Sequence, residues 1–394
     1  MSLTKKYNFI KGDLVLWCII SLLVIFSFLP VFSASSNLVF VIGKGTPFGY
    51  LIKHFVIMSL GFSVLYSVHK IPFTYFKGIS ILMMPVIFIL LIYTASQGNL
   101  IGGANANRWI EIPIFGFSFQ TSTLASIILM IYSAHYISKS YDKNLKFKNS
   151  ILFLWIPVIS IVMLIFPSNF STAVILFSMV IVQVFIGGYP MKHLLYIFGF
   201  GITMIFIFII SIKAFPDIIP NRIDTWTNRI ENFRSGKTDG NYQIERAKIA
   251  IASGGFYGQG AGKSVMKNFL PQSSSDFIYA IIIEEYGLVG GIILILLYVL
   301  LLFRLVVIVH KSSSLFGKLL VIGLGFPIVF QAFINIGVTL EVFPVTGQTL
   351  PLVSSGGTSA WMTFIALGII LSVSSSIDNN VLNNVNPLAV LSEE

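Results

Sequence analysis

Charge is scarce in this chain, and most of it has one sign. Only 10% of the 394 residues are charged, with 25 Lys and Arg against 15 Asp and Glu. So little charge cannot clothe a water-facing surface, which excludes a soluble globular domain. There is one cysteine, Cys18, and it falls inside the first apolar run, which excludes an intrachain disulfide. The five histidines are scattered, so no His/Cys cluster specifies a metal site. A P-loop is missing too. Residues 253–264, Ser-Gly-Gly-Phe-Tyr-Gly-Gln-Gly-Ala-Gly-Lys-Ser, end on the right residues but carry Tyr257 where that motif needs its first glycine. Glycines in this run are instead expected to serve tight turns or close backbone approach to a ligand.

What the chain does have is apolar residue, 56% of the total, in runs near the ~20 residues that cross a bilayer as helix. These predict an all-α integral membrane protein of about ten transmembrane helices. The expected spans are 13–34, 48–68, 76–95, 117–137, 151–166, 171–187, 193–214, 276–309, 316–340 and 358–378. The chain reads as one membrane domain over 1–394, with termini 1–12 and 379–394 and a long loop, 215–275, between spans seven and eight. The first span follows Lys5, Lys6 and Lys11 and has no small-residue cleavage site after it, so it is expected to be a retained anchor.

Basic residues orient the bundle. Thirteen Lys and Arg lie on the amino-terminal side, against Lys44, Lys53 and Arg108 in the short connections opposite. Positive residues of short loops stay in the cytoplasm, so both termini are expected there and loop 215–275 outside. The net charge of +10 is thus mostly topology plus a basic outer loop, and nucleic acid is not implied.

Polar chemistry gathers in three outer stretches, about 96–116, 215–275 and 341–357. Within the second, Ile223, Trp226, Ile230 and Phe233 recur at helical spacing among Arg222, Arg229 and Arg234. That predicts an interfacial amphipathic helix, serving either as an anchor or to bind phosphate head groups. Arg108-Trp109 follows a Gly/Asn stretch, and it reads as phosphate recognition or as interface anchoring. Three acids then stand at the start of span eight. Asp276 is expected at its mouth, as a helix cap, a general base or both. Glu284 and Glu285 follow about 12–14 Å deeper, with Glu285 on the face opposite Asp276. That pair reads as interhelical hydrogen bonding or as an ion pathway. Residues 351–359, Pro-Leu-Val-Ser-Ser-Gly-Gly-Thr-Ser, read as a turn and cap before the last span.

Five segments taken together resemble the SEDS family (shape, elongation, division and sporulation) of peptidoglycan glycosyltransferases. They are Asn-Arg-Trp-Ile at 107–110, Ser-Thr-Ala at 171–173, Ser-Gly-Gly-Phe-Tyr-Gly-Gln-Gly at 253–260, Ser-Asp-Phe-Ile-Tyr-Ala-Ile-Ile-Ile-Glu-Glu-Tyr-Gly at 275–287, and 351–359. Lys-Gly-Asp at 11–13, Phe-Ser-Ala-Ser-Ser-Asn at 32–37 and Phe-Gln-Thr-Ser-Thr-Leu-Ala-Ser at 119–126 resemble the division-type members of Bacteroidetes more than the elongation type.

The resemblance implies that Asp276 activates the 4-hydroxyl of an acceptor sugar, which attacks the anomeric carbon of a second lipid II and releases undecaprenyl diphosphate. Arg108, Trp109, Gln243, Lys263, Ser354, Ser355, Gly356 and Gly357 form the candidate substrate-binding set. Glu284 and Glu285 remain as structural or coupling acids. No cofactor is implied, and a divalent cation at the diphosphate stays open. The implied partners are lipid II, membrane lipid, a class B penicillin-binding protein and other division proteins. The implied location is the bacterial inner membrane at the septum. The chain departs from the family pattern at three places. Ser126 stands where a lysine is usual, Asn169 where an aspartate is common, and Glu341 where a small residue is usual. The competing readings are a lipid-precursor flippase or other transporter, favoured by the buried acids, and a non-catalytic division scaffold.

Overall fold

The computed structural model describes residues 10–42, 46–96, 100–101, 104–105, 109–112, 117–141, 147–214 and 242–385. The predicted amphipathic segment at 221–234 and Arg108 lie outside these residues. Each apolar run forms a long helix: α1 (Leu14–Ile42), α2 (Pro47–Val68), α3 (Phe76–Ser96), α4 (Thr121–Ser140), α5 (Phe147–Ile165), α6 (Phe170–Ile186) and α7 (Met191–Ala214). After α8 (Tyr242–Gly254) come α9 (Ile278–Lys311), α10 (Leu315–Thr339) and α11 (Gly357–Val385). Among the described residues, seven of these helices are long and apolar enough to cross a membrane, namely α1, α2, α3, α5, α9, α10 and α11. The protein is therefore a multi-pass membrane protein.

Local chemistry sets the helix starts. Thr46 caps α2, its side chain accepting from Gly49 N at 3.0 Å ahead of Pro47 in the first turn. Asn169 caps α6 by accepting from Thr172 N, and Ser314 caps α10 by accepting from Gly317 N. Asp13 accepts from Leu16 N at 2.9 Å and also takes a bidentate pair from Arg304 of α9, at 2.6–2.7 Å from Nε. That pair ties the start of α1 to α9 at the end of the bundle that carries both described termini.

Three expectations change. The run 117–137 does not begin a span. Residues 117–120 are strand β2 of a hairpin with β1 (Trp109–Ile112), and α4 starts at Thr121. The apolar side chains Phe117 and Phe119 suit a strand as well as a helix, so composition alone did not place the boundary. Second, loop 215–275 contains α8, a helix that the sequence reading treated as loop. Its Ile244, Ala247 and Ala250 are buried, the two alanines packing with Leu270, Phe277, Ala280, Ile281 and Val338 over the ends of α9 and α10. Third, Glu284 and Glu285 are not on the spanning stretch of α9 but in the helical turns just before a break. Gly287 breaks α9 with φ 68 and ψ −171, a conformation open essentially to glycine.

The depth of the acid pair follows from α1. Asp13 meets Arg304, and twenty residues on Ser33 donates to Glu285. That rise is about 30 Å, one hydrocarbon thickness. Glu285 thus lies at the far boundary of the apolar slab, not within it.

Candidate active site

A cavity of about 490 Å³ opens between α4, α6, α10 and α11, roofed by two connecting segments, the turn before α9 and residues 347–357 before α11. The helices line it with Ile127 and Met130 from α4, Ile175 and Leu176 from α6, and Leu324 and Ile328 from α10, among the polar Thr123, Ser126, Thr172, Gln331, Ser359 and Thr363. From Gln331 down to Gly323 the wall follows α10 for about 12 Å. The roof is polar, with Gln272, Ser275, Asp276, Gln348, Thr349 and Ser355. Pro327 lies in the α10 wall and cannot donate to the carbonyl of Gly323. Just beside that point Gln183 of α6, fully buried, donates to the carbonyls of Met130 (3.0 Å) and Leu319 (2.9 Å), knitting three walls together.

Asp276 reaches the cavity from a turn, not from a helix. The helix starts at Ile278, and its cap position is Phe277, with no side-chain cap bond. The cap position expected at Asp276 falls at Phe277 instead, and the angular separation drawn from a helix continuous through Asp276 does not apply. The turn is held through its main chain. Asn335 Nδ2 donates to the Asp276 carbonyl at 2.7 Å, Ser354 Oγ to the Ser275 carbonyl at 2.6 Å, and Ser355 N to the Ser274 carbonyl at 2.8 Å. Gly347, at φ +70, brings the facing segment close, so that a Cβ there would sit 3.6 Å from Asp276 Oδ2.

The predicted set divides. Asp276, Ser354, Ser355, Gly356 and Gly357 line the cavity together. Ser354 is buried, and its hydroxyl donates to Ser275 and accepts from Leu350 N, so it braces the roof. Gln243, half-buried on α8, and Lys263, exposed on the loop, do not line it. Trp109 contributes its backbone to β1, and its side chain lies outside what is described. Ser126 and Asn169, the two positions where a charge is replaced, both line the cavity with Asp276. As a result Asp276 is the only ionisable side chain among the described lining residues. Sequence reasoning missed Gln120, Thr172, Gln331 and Gln348 on these walls. Gln331 and Asn335, spaced i and i+4 in an apolar helix, were the available signal.

Glu284 and Glu285 belong elsewhere. Glu284 accepts from Val265 N (2.9 Å), Met266 N (3.2 Å) and the Ser264 hydroxyl. Glu285 accepts from the Ser33 hydroxyl and from Ser264 N at 3.3 Å. Their partners are therefore mainly the returning loop, where the sequence suggested other helices. Gly254 and Gly258 of the 253–260 run serve the same join. A Cβ on Gly254 would lie 2.1 Å from the Ile283 carbonyl, and one on Gly258 2.3 Å from the Glu285 carbonyl. They let the loop backbone press on the α9 backbone, so the close approach expected of them is to this helix. Glu341, at φ +59, pairs with Lys248 of α8. No group of three or more His, Cys, Asp or Glu among the described residues is placed to hold a metal.

Comparisons with known proteins agree with this architecture. The profile of the cell cycle protein family of FtsW, RodA and SpoVE matches residues 13–379. A probable peptidoglycan glycosyltransferase FtsW of Hydrogenovibrio crunogenus is 32% identical over 349 residues, 86% of each chain. Its counterpart in Coxiella burnetii is 30% identical over 85% of this chain and 89% of that one. A chain from a peptidoglycan synthase complex, solved for its coordination of polymerization and crosslinking, superposes with TM-score 0.71 at 23% identity, over 93% of this chain and 98% of that one. The Thermus thermophilus rod shape determining protein RodA gives 0.63 at 24% identity, over 92% and 96%. Those two likenesses speak for the fold, and the sequence matches speak for descent: the chain belongs to the SEDS family of FtsW, RodA and SpoVE cell cycle proteins, as an FtsW-type member.

Proposed function

We propose that this protein is a peptidoglycan glycosyltransferase that polymerises lipid II during septal wall synthesis. One observation carries the reading. A single carboxylate stands in a polar roof over walls that turn apolar toward the membrane interior. A substrate with a sugar head and a lipid tail needs that boundary. Asp276 takes the proton of the acceptor 4-hydroxyl, the oxygen bonds to the anomeric carbon of the donor, and the bond from that carbon to the diphosphate breaks. The electron pair leaves with undecaprenyl diphosphate. A carboxylate base contributes about 10²–10⁴-fold to such a step.

With Ser126 where a lysine is usual, the described walls carry no cation to meet the diphosphate. We assign that task to basic residues of the 102–116 and 215–267 segments, Arg108 first among them, by charge-assisted bonding to phosphate oxygens. A divalent cation there would take most of its ligands from the diphosphate and water, and polymerisation with and without chelator reads this directly. Further proposals are that both termini are cytoplasmic, on the distribution of lysines, and that the partner is a class B penicillin-binding protein supplying crosslinks. The FtsW names of the relatives and the synthase-complex neighbour support this assignment.

The test is polymerisation of purified lipid II by wild type and Asp276→Asn. Glycan strands from wild type and none from a folded variant are expected. Normal product from Asp276→Asn would end the base assignment. Transfer of labelled lipid II across liposomes without polymer would favour the flippase reading.

A further inference from the structure

Helix α10 turns two amide side chains toward the roof, one helical turn apart. Gln331 Nε2 donates to the Thr349 carbonyl at 2.8 Å, and Asn335 Nδ2 donates to the Gln348 carbonyl at 2.7 Å. Asn335 does one thing more. The same nitrogen donates to the carbonyl of Asp276, also at 2.7 Å. Two acceptors around one nitrogen fix which way the amide faces, because its oxygen cannot meet them. That oxygen, Oδ1, is buried without a partner. The amide thus satisfies two carbonyls while its own oxygen goes unmet. What it provides is a bridge from the turn that carries Asp276 to the segment that faces it. Gly347 brings that segment to within contact distance of Asp276 Oδ2. Asn335 itself is 1% exposed and does not line the cavity.

We propose that Asn335 is a positioning residue for the proton-abstraction step. It sets the gap between the carboxylate of Asp276 and the Gly347–Thr349 wall, and with it the place where a sugar hydroxyl is presented. The inference rests on the reading of Asp276 as base. A base must stand about 2.6–3.2 Å from the atom it deprotonates, and a misplacement of ~1 Å caused from outside the site can cost ~10²-fold.

The experiment measures initial rates of lipid II polymerisation by the full-length protein at varied lipid II and pH, for Asn335→Ala, Asn335→Asp and Asp276→Asn. Thermal midpoints are taken alongside. Asn335→Ala should lose about 10–100-fold in turnover per folded molecule, with KM within about threefold, and its midpoint should fall because two carbonyls lose their donor. In Asn335→Asp the neutral acid can donate one bond, while the ionised acid repels both carbonyls. Its rate relative to Asn335→Ala should therefore rise as pH falls from ~8 to ~6. Turnover of Asn335→Ala within threefold of wild type would overturn the proposal. So would equal rates of the two variants at every pH, or a loss matched by unfolding of both. Activity in Asp276→Asn would instead overturn the base assignment, whereas an inactive Asp276→Asn beside active Asn335 variants overturns only the positioning.

Discussion

Asp276 and the Glu284–Glu285 pair sit eight and nine residues apart on one segment, and they are held in opposite ways. Asp276 is held by its backbone, with Asn335 on its own carbonyl and Ser354 and Ser355 on those of its neighbours, while its carboxylate lines the cavity. The glutamates are held by their carboxylates, 1% exposed, which gather Ser33 and the amides of 264–266. An acid anchored through its main chain can face a substrate. An acid whose oxygens collect a loop's amides is part of the frame. The break at Gly287 allows both on one segment, because it leaves the stretch before it free to take a direction other than that of the spanning helix.

That contrast can be broken in stages. Asp276→Asn should lower polymerisation by about 10²–10⁴-fold with the thermal midpoint retained. Glu284→Ala strands two amides and a hydroxyl in a buried place and should destabilise by about 3 kcal/mol. Glu284→Gln keeps one acceptor oxygen for the two amides, with its NH2 facing the Ser264 hydroxyl, and should hold activity within about threefold; chemical denaturation and rate assays on the two variants separate frame from chemistry. Gly287→Ala puts a Cβ 2.2 Å from the Phe256 carbonyl at φ 68, and about 2–3 kcal/mol of stability should be lost, with faster hydrogen exchange in 254–266 as the local sign. Arg304→Lys replaces a bidentate contact with a point charge, and about 1–2 kcal/mol is expected, read from the midpoint. The exposed Lys248–Glu341 pair should matter least. Lys248→Gln should change stability by no more than about 1 kcal/mol. Glu341→Gly should come out near neutral, since relief at φ +59 offsets the lost pair.

Much of the frame was legible in the sequence, because a bilayer helix declares itself by length and apolarity. Asp276, Ser355, Gly356 and Gly357 were legible as a site only through motif resemblance, since no spacing rule links residue 276 to residues 355–357. Helix α8 was hidden because alanines at 247 and 250 carry a faint apolar stripe. The turn at 276 was hidden because Phe277 and Ile278 look alike to a hydropathy count. For the 253–260 glycines, close backbone approach was legible but its partner was not, since that is a backbone more than twenty residues away. Ser126 and Asn169 were noticed singly as departures, and only tertiary packing brings both to the wall that Asp276 shares.

The most direct measurement puts Asp276→Asn and Glu284→Gln side by side in one lipid II polymerisation assay, each normalised to folded protein. No detectable glycan is expected from Asp276→Asn, and near wild-type strands from Glu284→Gln. Strands from Asp276→Asn, or their loss in a folded Glu284→Gln, would contradict this.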